Sequence, residues 1–370
     1  MIKVMSVFGT RPEAIKMAPL VKMLEKEERV QSIVCVTAQH RQMLDQVLAQ
    51  FDITPDYDLN LMKAGQTLTS ITNGVLEGME TILKQAQPDI VLVHGDTTTS
   101  FAAALAAFYL QIPVGHVEAG LRSFDKYSPF PEEMNRCLTG RIATLHFAPT
   151  ERNRRNLESE GIHENIFVVG NTVIDALRIK VSDDYRFHDE KLRRLPLEQG
   201  RWIVMTAHRR ENLGPRLEQI CRAVRRVVDT VPDVHVVYPV HLNPAVRNTV
   251  FPILDGVDRI HLIDPIEVDD MHNLLKRAYL VLTDSGGLQE EAPALDKPVV
   301  VLRTETERPE VVEANKAVLA GVEEEHIYQI TERLLTDSQL YQSMVASNNP
   351  YGDGHTSEKI TQIIVDYFTK

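Results

Sequence analysis

The chain holds only three cysteines, Cys35, Cys137 and Cys221, and no two of them stand at a metal-ligand or redox spacing. That scarcity fits a reducing cytoplasm. Basic excess is missing too: 40 lysines and arginines against 52 acids leave a formal net charge of −12. A dedicated nucleic-acid binder would show a basic face, whereas an anionic small ligand needs only a few local Arg and His residues. No apolar run is long enough to span a bilayer, and the N-terminus enters a strand without a basic-then-apolar signal segment. A soluble, cytoplasmic protein with no membrane partner is expected. GxGxxG and GxxxxGK(S/T) are both absent, which argues against tightly bound NAD and against a Walker-type ATP step. HExxH is absent as well. His116-Val117-Glu118 matches the HxE of zinc deaminases, but the PCxxC partner is missing. His94, His116, His208 and His241 fall on separate loops, so no metal set is expected.

What is present is an ordinary globular composition, 43% hydrophobic and 25% charged over 370 residues, a length that predicts two domains. Short apolar runs alternate with amphipathic stretches. Strands are predicted at Ile2–Phe8, Ile33–Ala38, Asp89–Val93, Ile112–Val117, Leu145–Ala148 and Ile166–Val169. After Gly170-Asn171-Thr172 the pattern restarts, with strands at Trp202–Thr206, Val234–Val240, Ile260–Ile263, Leu280–Thr283 and Pro298–Leu302. Helices are predicted over Thr67–Gln87 and Ser357–Phe368, and residues 182–201 read as a loop with a short helix. Alternation of this kind predicts an α/β chain of two doubly wound parallel sheets. The expected halves are an N-terminal Rossmann-like domain at 1–170 and a C-terminal one at 171–354 facing it across a central cleft, with the helix at 355–370 crossing back to the first.

Polar chemistry gathers where the strands end. From His116 to Arg136 an apolar strand stops at Glu118 and passes through a Gly-, Ser- and Pro-punctuated loop to Glu132 and Glu133. Loops leaving buried parallel strands are where open α/β sheets keep ligands. Carboxylates at both ends of such a loop suit general acid–base work, or else simply favour the start of the next helix. Asp96 follows His94-Gly95 and is a helix N-cap or a third carboxylate in the same crevice. Asp284-Ser285-Gly286-Gly287 opens a strand into a helix, exposing backbone N–H groups where two glycines admit a phosphate; a plain cap has no use for both glycines. Arg11 and His208-Arg209-Arg210 sit on equivalent strand-end loops and suit diphosphate contacts.

Seven segments, VFGTRPEAIKMAPL (7–20), TAQHRQMLDQV (37–47), VHGDTTTS (93–100), GHVEAGLRS (115–123), SPFPEEMNR (128–136), TAHRREN (206–212) and TDSGGLQEEAP (283–293), resemble bacterial non-hydrolysing UDP-N-acetylglucosamine 2-epimerases in order and through essentially the whole chain. The resemblance implies a GT-B-like fold and reversible interconversion of UDP-GlcNAc and UDP-ManNAc for cell-surface polysaccharide precursors, with no cofactor. Carried over by position, it implies Asp96, Glu118, Glu132 and His208 as catalytic residues. It implies Arg11, Lys16, Ser285, Gly286, Gly287 and Glu291 as UDP-binding residues. A second UDP-GlcNAc acting as an allosteric activator would use Gln39, Gln42, Glu133, Arg209 and His241, and a homodimer is implied. Relatives carry an arginine just before their QTL where Gly65 stands here.

The chemistry explains the residue types. C2–H of an N-acetylhexosamine has no adjacent carbonyl, so a base alone does not remove it. If the C1–O bond to UDP breaks first, C1 gains oxocarbenium character and C2–H becomes far more acidic. Elimination to a 2-acetamidoglucal and re-addition with the proton on the opposite face then inverts C2. The rival expectations are a hydrolysing epimerase, a GT-B glycosyltransferase and a nucleotide-sugar sensor; Asp96, Glu118 and Glu132 speak against the sensor.

Overall fold

A computed structural model of the chain describes residues 1–37, 41–61 and 65–369, with 41–43 described by backbone alone. Its strands are β1 Ile2–Phe8, β2 Val30–Val36, β3 Tyr57–Asp58, β4 Ile90–His94, β5 Val114–Val117, β6 Leu145–Ala148, β7 Ile166–Val168, β8 Arg201–Thr206, β9 Val234–Pro239, β10 Ile260–Ile263, β11 Leu280–Thr283, β12 Val299–Val301 and β13 Ala317–Leu319. Among the described residues they form two sheets, ordered β3-β2-β1-β4-β5-β6-β7 and β10-β9-β8-β11-β12-β13. Every pairing is parallel. The α/β, doubly wound architecture expected from the alternation is therefore present in both halves. Strand order reverses between β1 and β4 in one sheet and between β8 and β11 in the other. Such reversals open a crevice at the strand C-termini.

Parallel strands covered on both faces read as largely apolar runs rather than as an alternation, and β1, β6, β10 and β11, with few polar interruptions, keep their expected bounds. On one face of the first sheet Phe8, Leu20, Leu24, Leu92 and Phe147 pack together with Ile360 and Ile364 of the last helix, Thr356–Thr369. The other face packs Val7, Cys35, Met79 and Val93 against Ala103 and Ala107, whose small side chains bring the helix Thr98–Tyr109 close to the sheet. The second sheet has its own core, including Ile203, Met205, Ile220, Val224, Tyr238 and Leu282.

The chain divides into two compact units, residues 1–179 with 351–370, and residues 180–350. The break falls later than the expected one after residue 170, and the return begins at Tyr351 rather than at 355. The helix Thr172–Lys180 is tied to the N-terminal unit: Asn171 N–H donates to Tyr351 O at 2.8 Å. The buried Asp175 carboxylate accepts from Thr356 N at 3.2 Å and Ser357 N at 2.6 Å, capping the last helix. Two strands lay outside the expected set, β3 and β13, as did the helices Pro309–Glu313, Glu324–Thr336 and Ser338–Val345.

Candidate active site

In the N-terminal unit the first turn after β1 is locked before any ligand is considered. Thr10 caps the helix Arg11–Lys26 through a reciprocal capping box with Glu13. Glu13 is buried, and its Oε2 accepts from Gly9 N at 3.1 Å, Thr10 N at 2.8 Å and Thr10 Oγ1 at 2.7 Å. Its Oε1 accepts from Thr97 Oγ1 at 2.7 Å and Ser100 Oγ at 3.0 Å, on the segment after β4. One carboxylate thus stitches the two loops that flank the strand-order reversal.

Glu118 leaves β5 with φ +64, a left-handed conformation costing a non-glycine residue about 1–3 kcal/mol, which the surrounding contacts hold in place. Its Oε1 accepts from Lys16 Nζ at 2.5 Å and from Asn171 Nδ2 at 3.1 Å. Its Oε2 stands 3.1 Å from the buried His94 Nε2, off the line a ring N–H would need, so this nitrogen makes no hydrogen bond. Burial holds His94 below its ordinary value against the pull of Glu118. Behind it, His116 Nε2–H donates to Gly95 O at 2.7 Å, and burial lowers His116 to about 3, so it stays neutral. Gly95 itself has φ +64, and a Cβ there would come within 3.4 Å of Glu118 Oε2, so glycine serves both the turn and the carboxylate.

Asp96 leaves the neighbouring strand; Gly95 N–H donates to Val117 O at 2.9 Å, which sets the two exits side by side. Asp96 Oδ2 is bonded by Arg136 Nη2, and Asn135 Nδ2 donates to Asp96 O at 2.9 Å. The N-cap of the helix Thr98–Tyr109 is Thr97, so the capping alternative for Asp96 does not apply. Arg136 also donates to Glu133 Oε2 at 3.2 Å. Glu133, 2% exposed, accepts Ser123 N at 3.0 Å and Phe124 N at 2.9 Å. It faces inward and ties the loop shut; no ligand is needed to explain it. Glu132, one position earlier on the helix Glu132–Ile142, is half-buried and makes no hydrogen bond or ion pair among the described residues.

In the C-terminal unit, Thr206 and Thr283 pair across β8 and β11, their hydroxyls 2.7 Å apart. The next residues out are the loop 207–212 and Asp284-Ser285. Asp284 Oδ2 accepts from His208 N at 2.9 Å, Arg209 N at 2.8 Å and Asn212 Nδ2 at 3.0 Å. Ser285 is the N-cap of the helix Gly286–Ala294 and makes no side-chain cap bond. A Cβ built on Gly286 would meet Arg209 Nη2 and Arg308 Nη2, each at 3.8 Å, and one on Gly287 would meet Glu291 Oε1 at 3.6 Å. These are ordinary contacts, so the protein's own packing does not require either glycine. What they keep open is space for an incoming group, flanked by two guanidinium groups and the positive end of a helix. Arg308 is held by Glu290, and Glu291 Oε2 lies 3.4 Å from the buried His272 Nε2. His208 stacks on His241 with ring centroids 5.2 Å apart. Burial lowers its pKa, with Asp284 pulling upward and His241 and Arg209 pushing down.

The residues singled out from the sequence thus form two groups, one in each unit. Lys16, expected at the nucleotide, pairs with Glu118. Arg209, expected at an effector, stands against Gly286. Gln39 and the Gln42 side chain lie outside the described residues. Sequence reasoning gave no role to Glu13, Asn171, Asp284 or Arg308. Glu13 carries a signal in its capping box and Asp284 in its place before Ser-Gly-Gly; Arg308 sits in a polar stretch with no motif. Among the described residues no group of three or more His, Cys, Asp or Glu is placed to hold a metal, and no helix is long and apolar enough to cross a membrane.

The model of the UDP-N-acetylglucosamine 2-epimerase family matches residues 22–365. UDP-N-acetylglucosamine 2-epimerase of Bacillus subtilis is 55% identical, over 99% of this chain and 96% of its own. Among solved structures, the S. aureus MnaA–UDP complex has a TM-score of 0.87 at 51% identity, covering 100% of this chain and 97% of that one. UDP-GlcNAc 2-epimerase from Neisseria meningitidis bound to UDP-GlcNAc has a TM-score of 0.83 at 46% identity, covering 99% of this chain and 100% of that one.

Proposed function

The chain belongs to the UDP-N-acetylglucosamine 2-epimerase family, and from that premise we propose that it interconverts UDP-GlcNAc and UDP-ManNAc without net hydrolysis, by eliminating UDP to a 2-acetamidoglucal and adding it back. The observation that carries the reading is the pairing of Asp96 and Glu118 on adjacent strand exits, each bonded to its own cation, Arg136 and Lys16. One carboxylate takes the proton from C2 and another, as the carboxylic acid, returns one to the opposite face, and Glu132 adds a third that has no hydrogen bond or ion pair among the described residues. Acid–base groups of this kind contribute about 100- to 10,000-fold.

The C-terminal unit takes the diphosphate. In the elimination the C1–O bond breaks, its electron pair goes to the β-phosphate oxygen, and the C2 proton goes to a carboxylate. Charge therefore develops on the diphosphate, where Arg209, Arg308, His208 and the helix start at Gly286 supply preorganised donors, each worth roughly 100- to 1000-fold. Re-addition reverses the electron flow after the proton has been delivered to the other face of C2. The UDP bound by the S. aureus relative and the UDP-GlcNAc bound by the N. meningitidis relative support a nucleotide sugar as the ligand. Arg11 belongs with the phosphate donors in the same reading. Of the positions considered for an activating second UDP-GlcNAc, His241 is exposed and Arg209 half-buried, while Glu133 serves the loop.

Proton NMR of the protein with UDP-GlcNAc in D2O tests the proposal. UDP-ManNAc carrying deuterium at C2, with no free sugar accumulating, is the expected result. Free ManNAc and UDP in equal amounts would make the enzyme a hydrolysing one, and no change even with both nucleotide sugars supplied would remove the epimerase reading.

A further inference from the structure

Asp284 is wholly buried, yet only one of its two oxygens is satisfied. Oδ2 takes two backbone N–H groups and the Asn212 amide, and Oδ1 has no hydrogen bond at all. A buried carboxylate oxygen left unpaired costs free energy, so it calls for an explanation. The ring nitrogen facing it is His208 Nδ1, at 3.7 Å. His241 lies parallel to His208, with ring centroids 5.2 Å apart. A small shift of the imidazole toward Asp284 closes the remaining gap. The three bonds to Oδ2 fix the carboxylate, and the loop it anchors is the loop that carries His208.

We propose that Asp284 is a positioning residue for His208: its Oδ1 accepts the Nδ1–H of the imidazole and turns Nε2 toward the diphosphate oxygen that leaves C1. This rests on the reading of His208 as a donor to that oxygen. In this arrangement an imidazolium at His208 presents Nε2–H to the developing anion while Asp284 balances its charge from behind. The groups facing the ring are Asp284 from the β11 exit, His241 from the β9 exit and Arg209 from its own loop. Asp284 is the one among them that favours the protonated ring.

Asp284→Asn keeps the shape and the three anchoring bonds but offers Nδ2–H toward Nδ1, which reverses the tautomer. The expected result is a loss of kcat on the order of 100-fold or more, UDP affinity by calorimetry within a few-fold, and a basic limb of the kcat/KM profile moved to lower pH. In the background of His208→Gln the same substitution should cost little further, because it acts through that ring. Unchanged kcat in Asp284→Asn, or an equal loss in both backgrounds, overturns the proposal and leaves Asp284 a loop anchor. If His208→Gln alone keeps full activity, the reading of His208 falls instead. Should Asp284→Asn fail to fold, nitrogen-15 NMR of the intact protein decides: the neutral His208 ring should carry its proton on Nδ1, and a ring protonated on Nε2 refutes the inference.

Discussion

Lys16 Nζ and Glu118 Oε1 stand 2.5 Å apart, joining the second turn of the first helix to the exit of β5. Each is only slightly exposed, so the pair is screened less than a surface ion pair. Its effect is to fix where the Glu118 carboxylate points, with Asn171 bonding the same oxygen from a third segment.

Glu118→Gln keeps the bond from Asn171 but removes the basic oxygen. It should lower kcat by about 100- to 10,000-fold with UDP affinity held within a few-fold. Steady-state kinetics beside calorimetry checks it; retention of a tenth of the activity would remove Glu118 from the proton transfer.

Gly286→Ala separates stability from function. Alanine favours a helix over glycine by about 1 kcal/mol, and its Cβ meets protein atoms at no less than 3.8 Å. The melting temperature should hold or rise while UDP affinity falls about tenfold or more, since the methyl fills space kept for the ligand. Undiminished UDP binding would place the diphosphate elsewhere.

The two acids that open the helix Glu132–Ile142 should behave oppositely. Glu133→Ala removes a buried carboxylate that holds two backbone N–H groups and Arg136, and should cost about 3–5 kcal/mol of stability. Glu132→Ala should leave the urea midpoint in place and reduce turnover. Equal midpoints for the two variants would contradict the inward placement of Glu133.

Burial lowers His116 to about 3 and His146 to about 4, from an ordinary 6.5. The unfolded chain therefore binds more protons than the folded one below about pH 6.5. The stability these two residues contribute is present above that pH and is lost as pH falls, toward about 4 for His146 and about 3 for His116. Each should steepen the acid side by about 1.4 kcal/mol per pH unit. Urea midpoints at pH 7 and pH 5 should fall accordingly, with a shallower fall in His146→Gln; identical slopes would show that His146 titrates normally.

The fold was legible where burial alone decides it. β1, β6, β10 and β11 are mostly apolar, interrupted only by Lys3, Ser6, His146, His261 and Thr283, and their bounds in the structure match the runs seen in the sequence. β3 spans two residues, Tyr57–Asp58, too few for any period to register. β13 is three residues, Ala317–Leu319, next to the fully buried Lys316, whose charge breaks the pattern that reveals the other strands. The site was legible in its residue types and less so in its pairings. Adjacent Glu132 and Glu133 are equivalent in sequence, and only the loop's N–H groups select Glu133 to turn inward. Arg308 shows its place only once Glu290 holds it beside Gly286.

The C-terminal unit is an insertion between the helix Thr172–Lys180 and the segment that begins at Tyr351. Ile360, Ile364 and Val365 of the last helix belong to the same core as Val4, Phe8 and Leu20. During synthesis, then, of the two units the one that starts first is the last to be completed. Its hydrophobic face stays open while residues 180–350 are made and fold, and it closes only when Asp175 receives the N–H groups of Thr356 and Ser357. A chain interrupted within its last helix should therefore carry a finished C-terminal unit attached to an unfinished N-terminal one, so that Asp96 and Glu118 lose their setting while Arg209, Asp284 and Arg308 keep theirs.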